Sequence, residues 1–180
     1  MLKTSILIVA FAIAGILSVS AKLGESKAQS IKNYGPAIDT DKYGMVNWDF
    51  KGYWISELFN EEGICDLIYY YKMSGEISDR EADTLRKVNY PKEAGQAWIE
   101  QEVTPADTDP KAHTRTWVTP GGFWYLKRTN RLIDGKYYAS IVMGNVQGIV
   151  DFNRRIEAVN SQSKEPSPNW QAPLLRPTGG

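Results

Sequence analysis

Few side chains in this sequence are of the kinds that perform catalysis or bind metal ions, and they are widely separated along the chain. Cys65 is the only cysteine and His113 is the only histidine. A single histidine excludes a histidine-rich zinc site, and no Gly-x-Ser-x-Gly or phosphate-binding loop is present. Glu100 and Glu102 form an acidic pair on one side of a predicted strand, because alternate strand residues point the same way. The sequence therefore predicts no metal centre and no cofactor.

For each of these residues the sequence favours a structural role over a chemical one. His113 lies in a polar segment, so it is expected at the surface rather than as a haem ligand or general base. Cys65 is expected to be a small buried strand residue, with a reactive thiol or an intermolecular disulfide as alternatives. Glu100 and Glu102 are expected on a solvated outer face rather than as a catalytic carboxylate pair. We therefore expect that the protein is not an enzyme.

The N-terminus has the composition of a secretory leader. Residues 1–21 open with Lys3, continue through an apolar stretch and end on small residues, with Val19 and Ala21 at the two cleavage-recognition positions. The apolar stretch is shorter than the roughly 20 residues that a membrane span needs. We predict a signal peptide, no membrane span after cleavage, and a secreted protein that is extracellular, or periplasmic in a bacterium. An uncleaved anchor is the alternative.

The charge balance excludes some classes of partner. The chain carries 21 basic and 21 acidic residues, and removing Lys3 with the leader leaves 20 against 21, a net charge of −1. Proteins that bind nucleic acid or anionic membranes carry a strong basic excess, so neither partner is expected. The roughly 160 remaining residues suffice for one domain with a sizeable core. One cysteine permits no intrachain disulfide, so packing must stabilise the fold.

The middle of the chain is typical of consecutive β-strands. It is rich in Tyr, Trp, Ile and Val and is interrupted at short intervals by Gly, Pro, Asn and Asp. Eight strands are predicted, at about 52–59, 63–74, 83–89, 95–103, 112–119, 122–129, 136–144 and 146–154. Short connections favour antiparallel neighbours. The predicted fold class is all-β, an eight-stranded antiparallel up-and-down barrel, with a two-sheet β-sandwich as the alternative.

This fold sets the predicted domain organisation. The signal peptide is followed by an N-terminal arm (22–43), a barrel domain (44–160) and a Pro-rich C-terminal tail (161–180). Within the second strand, alternate apolar residues are expected to point into the barrel: Cys65, Leu67, Tyr69, Tyr71 and Met73. Residues 76–86 could form one exposed helical turn, as an alternative to the strand predicted at 83–89.

In such a barrel, three clusters that are distant in sequence meet at one end. Gly52 and Trp54 begin the first strand, Asp134 and Tyr137 flank the start of the seventh, and Arg154 ends the eighth. An arginine laid over Trp54 contributes on the order of 0.5 to 2 kcal/mol by cation–π attraction. Gly52 would let the chain cross the barrel floor closely. We therefore expect this end of the barrel to be closed.

These clusters resemble the motifs of the lipocalin family over about residues 43–155. "NWDFKGYW" resembles its first motif, "DGKYYASIVMG" its second and "GIVDFNRR" its third. The chain departs from the family after the eighth strand, where the expected long helix is reduced to at most "RRIEAVNSQ" and the usual disulfide is impossible. The resemblance implies structural roles for Gly52, Trp54, Asp134, Tyr137 and Arg154, with Arg155 as an alternative to Arg154.

The resemblance places function in the barrel cavity. By strand parity, the residues expected to line it are Leu58, Leu67, Tyr69, Tyr71, Ile99, Trp117, Trp124, Ile141, Met143 and Phe152. A cavity of this composition suits a small hydrophobic or aromatic molecule of the lipid, retinoid or pigment type. The expected function is a secreted carrier. Its alternatives are an interaction or structural protein with a filled barrel, a functional tail and a protein partner or homodimer, and an isomerase or hydrolase of lipocalin type.

Overall fold

The computed structural model describes residues 23–89, 98–101, 112–133 and 135–163. Within these ranges the chain forms eight strands and three helices. In chain order they are α1 (Lys27–Tyr34), β1 (Asp39–Thr40), β2 (Val46–Phe50), β3 (Tyr53–Phe59), β4 (Cys65–Lys72), α2 (Asp79–Val88), β5 (Ile99–Gln101), β6 (Ala112–Val118), β7 (Trp124–Ile133), β8 (Lys136–Asn145) and α3 (Val146–Ser163). The predicted signal peptide and most of the Pro-rich tail lie outside the described residues.

The strands form one antiparallel sheet in the order β1-β2-β3-β4-β8-β7-β6-β5. The all-β class and an antiparallel sheet of eight strands are therefore confirmed, although not every predicted strand belongs to that sheet. Strands β3, β4, β6, β7 and β8 occupy segments that were predicted as strands, and β5 covers the described part of a sixth. Strands β1 and β2, in contrast, lie in a region for which no strand was predicted.

The sheet does not close into a barrel. In a closed up-and-down barrel, each strand pairs with the next along the chain and the last strand pairs with the first. Here β4 pairs with β8, so the second half of the sheet is added in reverse order. Among the described strands, β1 and β5 form the two edges of an open sheet. A barrel lumen is therefore replaced by two separate sheet faces.

Helices cover both faces of the sheet. On one face, a large apolar core includes Tyr34 of α1 and Leu85 of α2. On the other face, a smaller core includes Phe152 and Ile156 of α3. We call these the α1/α2 face and the α3 face. Among the described residues, no helix combines the length and the hydropathy that crossing a membrane requires.

Two predicted strands are helical. The prediction of a strand at 83–89 is wrong, because this segment lies mostly in α2. Ser78 caps that helix: its hydroxyl accepts a hydrogen bond from the Glu81 amide, and the Glu81 carboxylate accepts one from the Ser78 amide. This reciprocal capping box starts a helix at the point where the sequence offered one helical turn as the alternative.

The prediction of an eighth strand at 146–154 is also wrong. The Asn145 side chain accepts a hydrogen bond from the Gly148 amide at 2.6 Å, and α3 begins at this point. Apolar residues then recur at helical spacing and pack on the α3 face: Ile149, Phe152, Ile156 and Val159. This spacing over 11 residues distinguishes the helix from a strand.

A β-bulge breaks the predicted inward-facing stripe of the second strand. Leu58 pairs with Leu67, whereas the next residue, Phe59, pairs with Cys65, so Asp66 is an extra residue. The extra residue reverses side-chain parity. Cys65 therefore packs on the α1/α2 face, and Leu67 packs on the α3 face.

Gly52 has a different role from the one expected. It lies in the turn between β2 and β3, where Lys51 has φ 52° and Gly52 has φ 82°. Two consecutive positive φ angles are the geometry of a two-residue hairpin turn, which favours glycine. The Gly52 carbonyl also accepts a hydrogen bond from the Met73 amide at 3.0 Å. Gly52 thus makes a tight hairpin, and it does not cross a barrel floor.

Candidate functional site

A polar cleft of about 460 Å³ lies on the α1/α2 face, between the start of α2 and the strands β6 and β7. Its size is within the range of small-molecule sites. Most of its wall is made of side chains that form hydrogen bonds or carry charge. The lining residues are Glu76, Ile77, Ser78, Asp79, His113, Thr114, Arg115, Arg128 and Asn130.

Asn130 fixes the segment that leads into α2. The side chain is buried on β7, and its amide donates to the Ile77 carbonyl at 2.9 Å while its oxygen accepts from the Ile77 amide at 2.9 Å. The Asn130 side chain therefore satisfies both backbone groups of a fully buried residue. This pair of bonds holds one wall of the cleft against the sheet.

Arg128 is the buried cation of the cleft. Only 8% of its side chain is exposed. One terminal nitrogen, Nη1, donates to the Asp79 carboxylate and, at 3.5 Å, to the Ile77 carbonyl. Its Nε is buried and has no hydrogen-bond partner among the described residues. The guanidinium is thus paired on one side and retains an unused donor.

Arg115 lies directly opposite Arg128 in the antiparallel pair of β6 and β7. Like charges at opposed positions repel each other. The Asp79 carboxylate relieves this repulsion, because it contacts Arg128 and also lies 3.5 Å from Arg115 Nη1. Arg115 Nε is 3.6 Å from the exposed Glu100 carboxylate. Asp79 is therefore an anion held between two guanidinium groups.

The pKa of Asp79 reflects this arrangement. The hydrogen bond from Arg128 lowers the pKa of the Asp79 carboxyl below its usual value, and the charges of Arg128 and Arg115 act in the same direction. Asp79 therefore stays ionised well into the acidic range, and the two arginines keep their shared counter-ion.

The arrangement is suited to recognising an anionic group. Guanidinium groups present several N–H donors in a plane and bind carboxylates and phosphates through paired hydrogen bonds. His113 is exposed and contributes its imidazole ring to the same wall. Among the described residues, no group of three or more His, Cys, Asp or Glu side chains could hold a metal ion.

The described residues give no indication of enzymatic activity. Ser78 is the serine of the cleft, but its hydroxyl donates to the Glu81 carboxylate at 2.8 Å within the helix cap. Cys65 is fully buried outside the cleft, and burial raises the pKa of its thiol well above the usual value. A buried protonated thiol is a poor nucleophile. Glu100 is exposed, and Glu102 lies outside the described residues.

The ten residues predicted to line one cavity do not come together. Four pack on the α3 face: Leu58, Leu67, Tyr69 and Phe152. Four others pack on the α1/α2 face: Trp117, Trp124, Ile141 and Met143. Of the remaining two, Tyr71 is partly exposed and Ile99 is exposed. An open sheet with helices on both faces separates residues that a barrel would have brought into one interior.

The predicted closure of the barrel by an arginine over Trp54 is absent from the described residues. Trp54 lies on β3, partly buried, and pairs with Asp49 and Tyr71. Arg154 lies on α3, where its side chain is 71% exposed and contacts Asp151 at 3.3 Å. An arginine does cover a tryptophan elsewhere, since Arg86 of α2 lies 5.3 Å from the Trp117 ring centre on β6.

The other motif positions also lack the expected roles. Tyr137 is exposed on β8, opposite Leu132 of β7. Arg155, the alternative to Arg154, is exposed on α3, and its Nη1 approaches the backbone of Gly44. Asp134 lies outside the described residues. These positions therefore do not form one cluster.

Comparison with known proteins does not support the lipocalin resemblance. No protein-family model matches this chain, and no curated protein matches it either. The chain is similar to the crystal structure of a DUF4309 family protein, YjgB, from Bacillus subtilis subsp. subtilis str. 168. The two share 11% identity over 71% of this chain and 82% of that one, with a TM-score of 0.35. The lipocalin resemblance is wrong because the sheet is open, with β4 paired to β8, and does not form an up-and-down barrel.

The principal residues of the cleft were not predicted, although the sequence carried a signal for them. In β7, Trp124 and Leu126 are core residues, and Arg128 and Asn130 continue the same side of the strand. Two polar residues that extend an apolar stripe must be buried with partners or face a cleft.

Proposed function

We infer that the protein binds a small organic anion, a carboxylate or a phosphate that also carries hydrogen-bond donors, in the polar cleft. The observation that carries this proposal is the pair of guanidinium groups of Arg128 and Arg115, which lie opposite each other on β7 and β6 and both line the cleft. Together they offer a bound carboxylate or phosphate positive charge and several N–H donors.

Arg115 supports the same ligand class. Its side chain is 49% exposed and lies 3.5 to 3.6 Å from two carboxylates, longer than a good charged hydrogen bond. The guanidinium can therefore turn toward a bound anion at little cost. Asp79 and Glu76 on the opposite wall would repel a purely anionic molecule. The favoured ligand therefore pairs its acidic group with hydroxyl or amino groups.

The sequence-based carrier function remains a separate proposal. Its ten expected lining residues are divided between the two sheet faces, and eight of them belong to packed cores. Titration with the uncharged fluorescent probe N-phenyl-1-naphthylamine tests this proposal. Saturable binding with quenching of tryptophan emission would favour the apolar carrier.

The cleft proposal is tested by isothermal titration calorimetry with inorganic phosphate, glycerol 3-phosphate, citrate and glutamate. Arg115→Ala removes one exposed guanidinium, and Arg154→Ala is the matched control because Arg154 is exposed on α3, outside the cleft. We expect at least one compound to bind, and Arg115→Ala to weaken it by about 10- to 100-fold, the effect of a lost charged hydrogen bond. Arg154→Ala should bind like the wild type. Absence of binding by all four compounds, or equal weakening in both variants, would contradict the proposal.

A further inference from the structure

A second ionisable group is buried on the α1/α2 face, away from the cleft. Glu57 lies on β3 between Val46 of β2 and Ile68 of β4. Its side chain is fully buried, and neither carboxyl oxygen has a hydrogen-bond partner among the residues that the structure describes. A buried carboxylate without partners is strongly disfavoured, so Glu57 is stable there in its neutral form.

The segment that includes α1 covers this region of the sheet. Residues 24–34, which we call the α1 cover, are joined to β4 by backbone hydrogen bonds. The Gly24 amide donates to the Cys65 carbonyl at 2.9 Å, and the Cys65 amide donates to the Glu25 carbonyl at 2.8 Å. At the other end of the cover, the Tyr34 ring packs 5.7 Å from the ring of Trp48. Cys65 and Trp48 are therefore buried partly by this cover.

Among the described residues, the groups that act on the Glu57 carboxyl are neutral or negative. From α1, the fully buried Ser30 faces the carboxyl. Its hydroxyl lies 3.5 Å from the Ser26 carbonyl and also interacts with Glu57, where it lowers the pKa and so opposes the effect of burial. The Glu25 carboxylate acts on Glu57 from the start of the cover. From β4, the Cys65 thiol and the Tyr70 hydroxyl are close enough to interact with Glu57 electrostatically. A negative charge on Glu57 would meet only neutral or negative groups among these.

We propose that the α1 cover responds to pH: it is closed when Glu57 is protonated and is released from the sheet when Glu57 ionises. Ionisation transfers the carboxyl proton to solvent, and the resulting carboxylate is hydrated only if the cover moves away. Opening exposes Cys65 and the apolar surface around Trp48. The device uses neither the cleft nor Arg128, so it is independent of the proposed ligand site.

The direction of the pH effect follows from the two states. Burial raises the pKa of Glu57 from 4.5 to about 7 in the closed state; the Ser30 hydroxyl opposes this rise, and the charge of Glu25 adds to it. In the open state the carboxyl is solvated and has its ordinary pKa. The opening equilibrium therefore rises about tenfold per pH unit between about 4.5 and 7 and is constant above that range. Closure is favoured in acid, and opening is favoured near neutral pH.

The only cysteine of the chain reports opening directly, because Cys65 is buried when the cover is closed. Labelling of the intact protein with 4,4′-dithiodipyridine is followed from pH 5 to pH 8. Glu57→Gln is the matched control, since it keeps the side-chain shape and cannot ionise. Dividing the wild-type rate by the variant rate removes the intrinsic pH dependence of the thiol.

We expect this ratio to rise about 40-fold from pH 5 to pH 7 and to level off by about pH 8. A ratio that does not change with pH would overturn the proposal. Local opening should also depend weakly on urea. Labelling that follows global unfolding in urea would equally overturn it. Hydrogen exchange of the Gly24 and Cys65 amides, corrected for intrinsic rates, gives the same test on the wild type if Glu57→Gln fails to fold.

Discussion

Two buried ionisable side chains on the same face of the sheet have opposite surroundings. Arg128 on β7 lines an open cleft and bonds the Asp79 carboxylate. Glu57 on β3 is sealed beneath α1 without a partner in the described chain. A buried charge must be paired or neutralised. The cation therefore stays charged and is suited to ligand binding, whereas the acid can remain buried only as the neutral form and is suited to responding to pH.

The largest expected effect tests the Glu57 side of this comparison. Glu57 has its pKa raised to about 7, so its contribution to stability is present below about pH 4.5 and is lost as pH rises to 7. Glu57→Gln should remove this loss and stabilise the protein by about 3 kcal/mol at pH 8, with little change at pH 5. Urea denaturation at both pH values measures the difference. Glu62→Gln, at an exposed position, is the control. Equal stability of wild type and Glu57→Gln at pH 8 would refute this reading.

The next effect concerns the wall of the cleft. Asn130→Ala removes two hydrogen bonds and leaves the Ile77 amide and carbonyl buried without their partner. We expect a loss of about 2 to 3 kcal/mol in the free energy of unfolding. Thr129→Ala, which changes the neighbouring residue on the opposite side of β7, should cost much less. A similar cost for both variants would show that the Asn130 bonds do not hold the segment.

A third ionisable side chain, Glu81, sharpens the comparison because the effect of pH on its contribution to stability has the opposite sign to that of Glu57. Burial alone would raise the pKa of Glu81, but hydrogen bonds from Lys72, Ser78 and Tyr53 lower it to about 2. Its contribution to stability is therefore present above about pH 4.5 and is lost as pH falls toward 2. Glu81→Gln should cost about 1 kcal/mol at pH 7, a value reduced for the partial exposure of the side chain, and less at pH 3. Urea denaturation at both pH values checks the sign; a cost that grows in acid would contradict it.

The smallest expected effect on stability belongs to Arg115. Its contacts with Asp79 and Glu100 are exposed and long, so Arg115→Ala should change the free energy of unfolding by less than about 0.5 kcal/mol. Urea denaturation at pH 7, with Arg154→Ala alongside, measures this change. A loss of several kcal/mol would mean that Arg115 holds the fold together and is not free to bind a ligand.

The sequence was sufficient to predict six of the eight strands of the sheet, but not β1, β2, the open topology or the helices. Strand segments were recognisable from their β-branched and aromatic residues. The helix α2 begins at a capping box at Ser78, but a strand was predicted at 83–89, with one exposed helical turn at 76–86 only as the alternative. The spacing of Phe152 and Ile156 fits a helix, but the composition of the middle of the chain was taken to predict a strand at 146–154. The bulge at Asp66 reversed the parity on which the cavity was based.

The candidate site could be predicted only in part. His113 was noticed and expected at the surface, yet its neighbours in the cleft come from α2 and β7, which the barrel topology did not place beside it. Arg128 and Glu57 share one property: each is an ionisable residue at a buried position on a strand face whose other buried residues are mostly apolar. Sequence alone shows that such a residue is unusual. The structure is needed to show which one has a partner and which one is sealed.

The most direct test of the ligand site is an NMR measurement on the Nε–H group of Arg115, the half-exposed guanidinium of the cleft. Nitrogen-15 spectra of the arginine side chains are recorded while the tightest-binding compound from the calorimetric panel is added. We expect the Arg115 Nε–H resonance to shift saturably, with the same dissociation constant as the calorimetry, while the resonance of the exposed Arg154 stays unchanged. An Arg115 resonance that does not move when the compound is bound would show that this guanidinium does not contact the ligand.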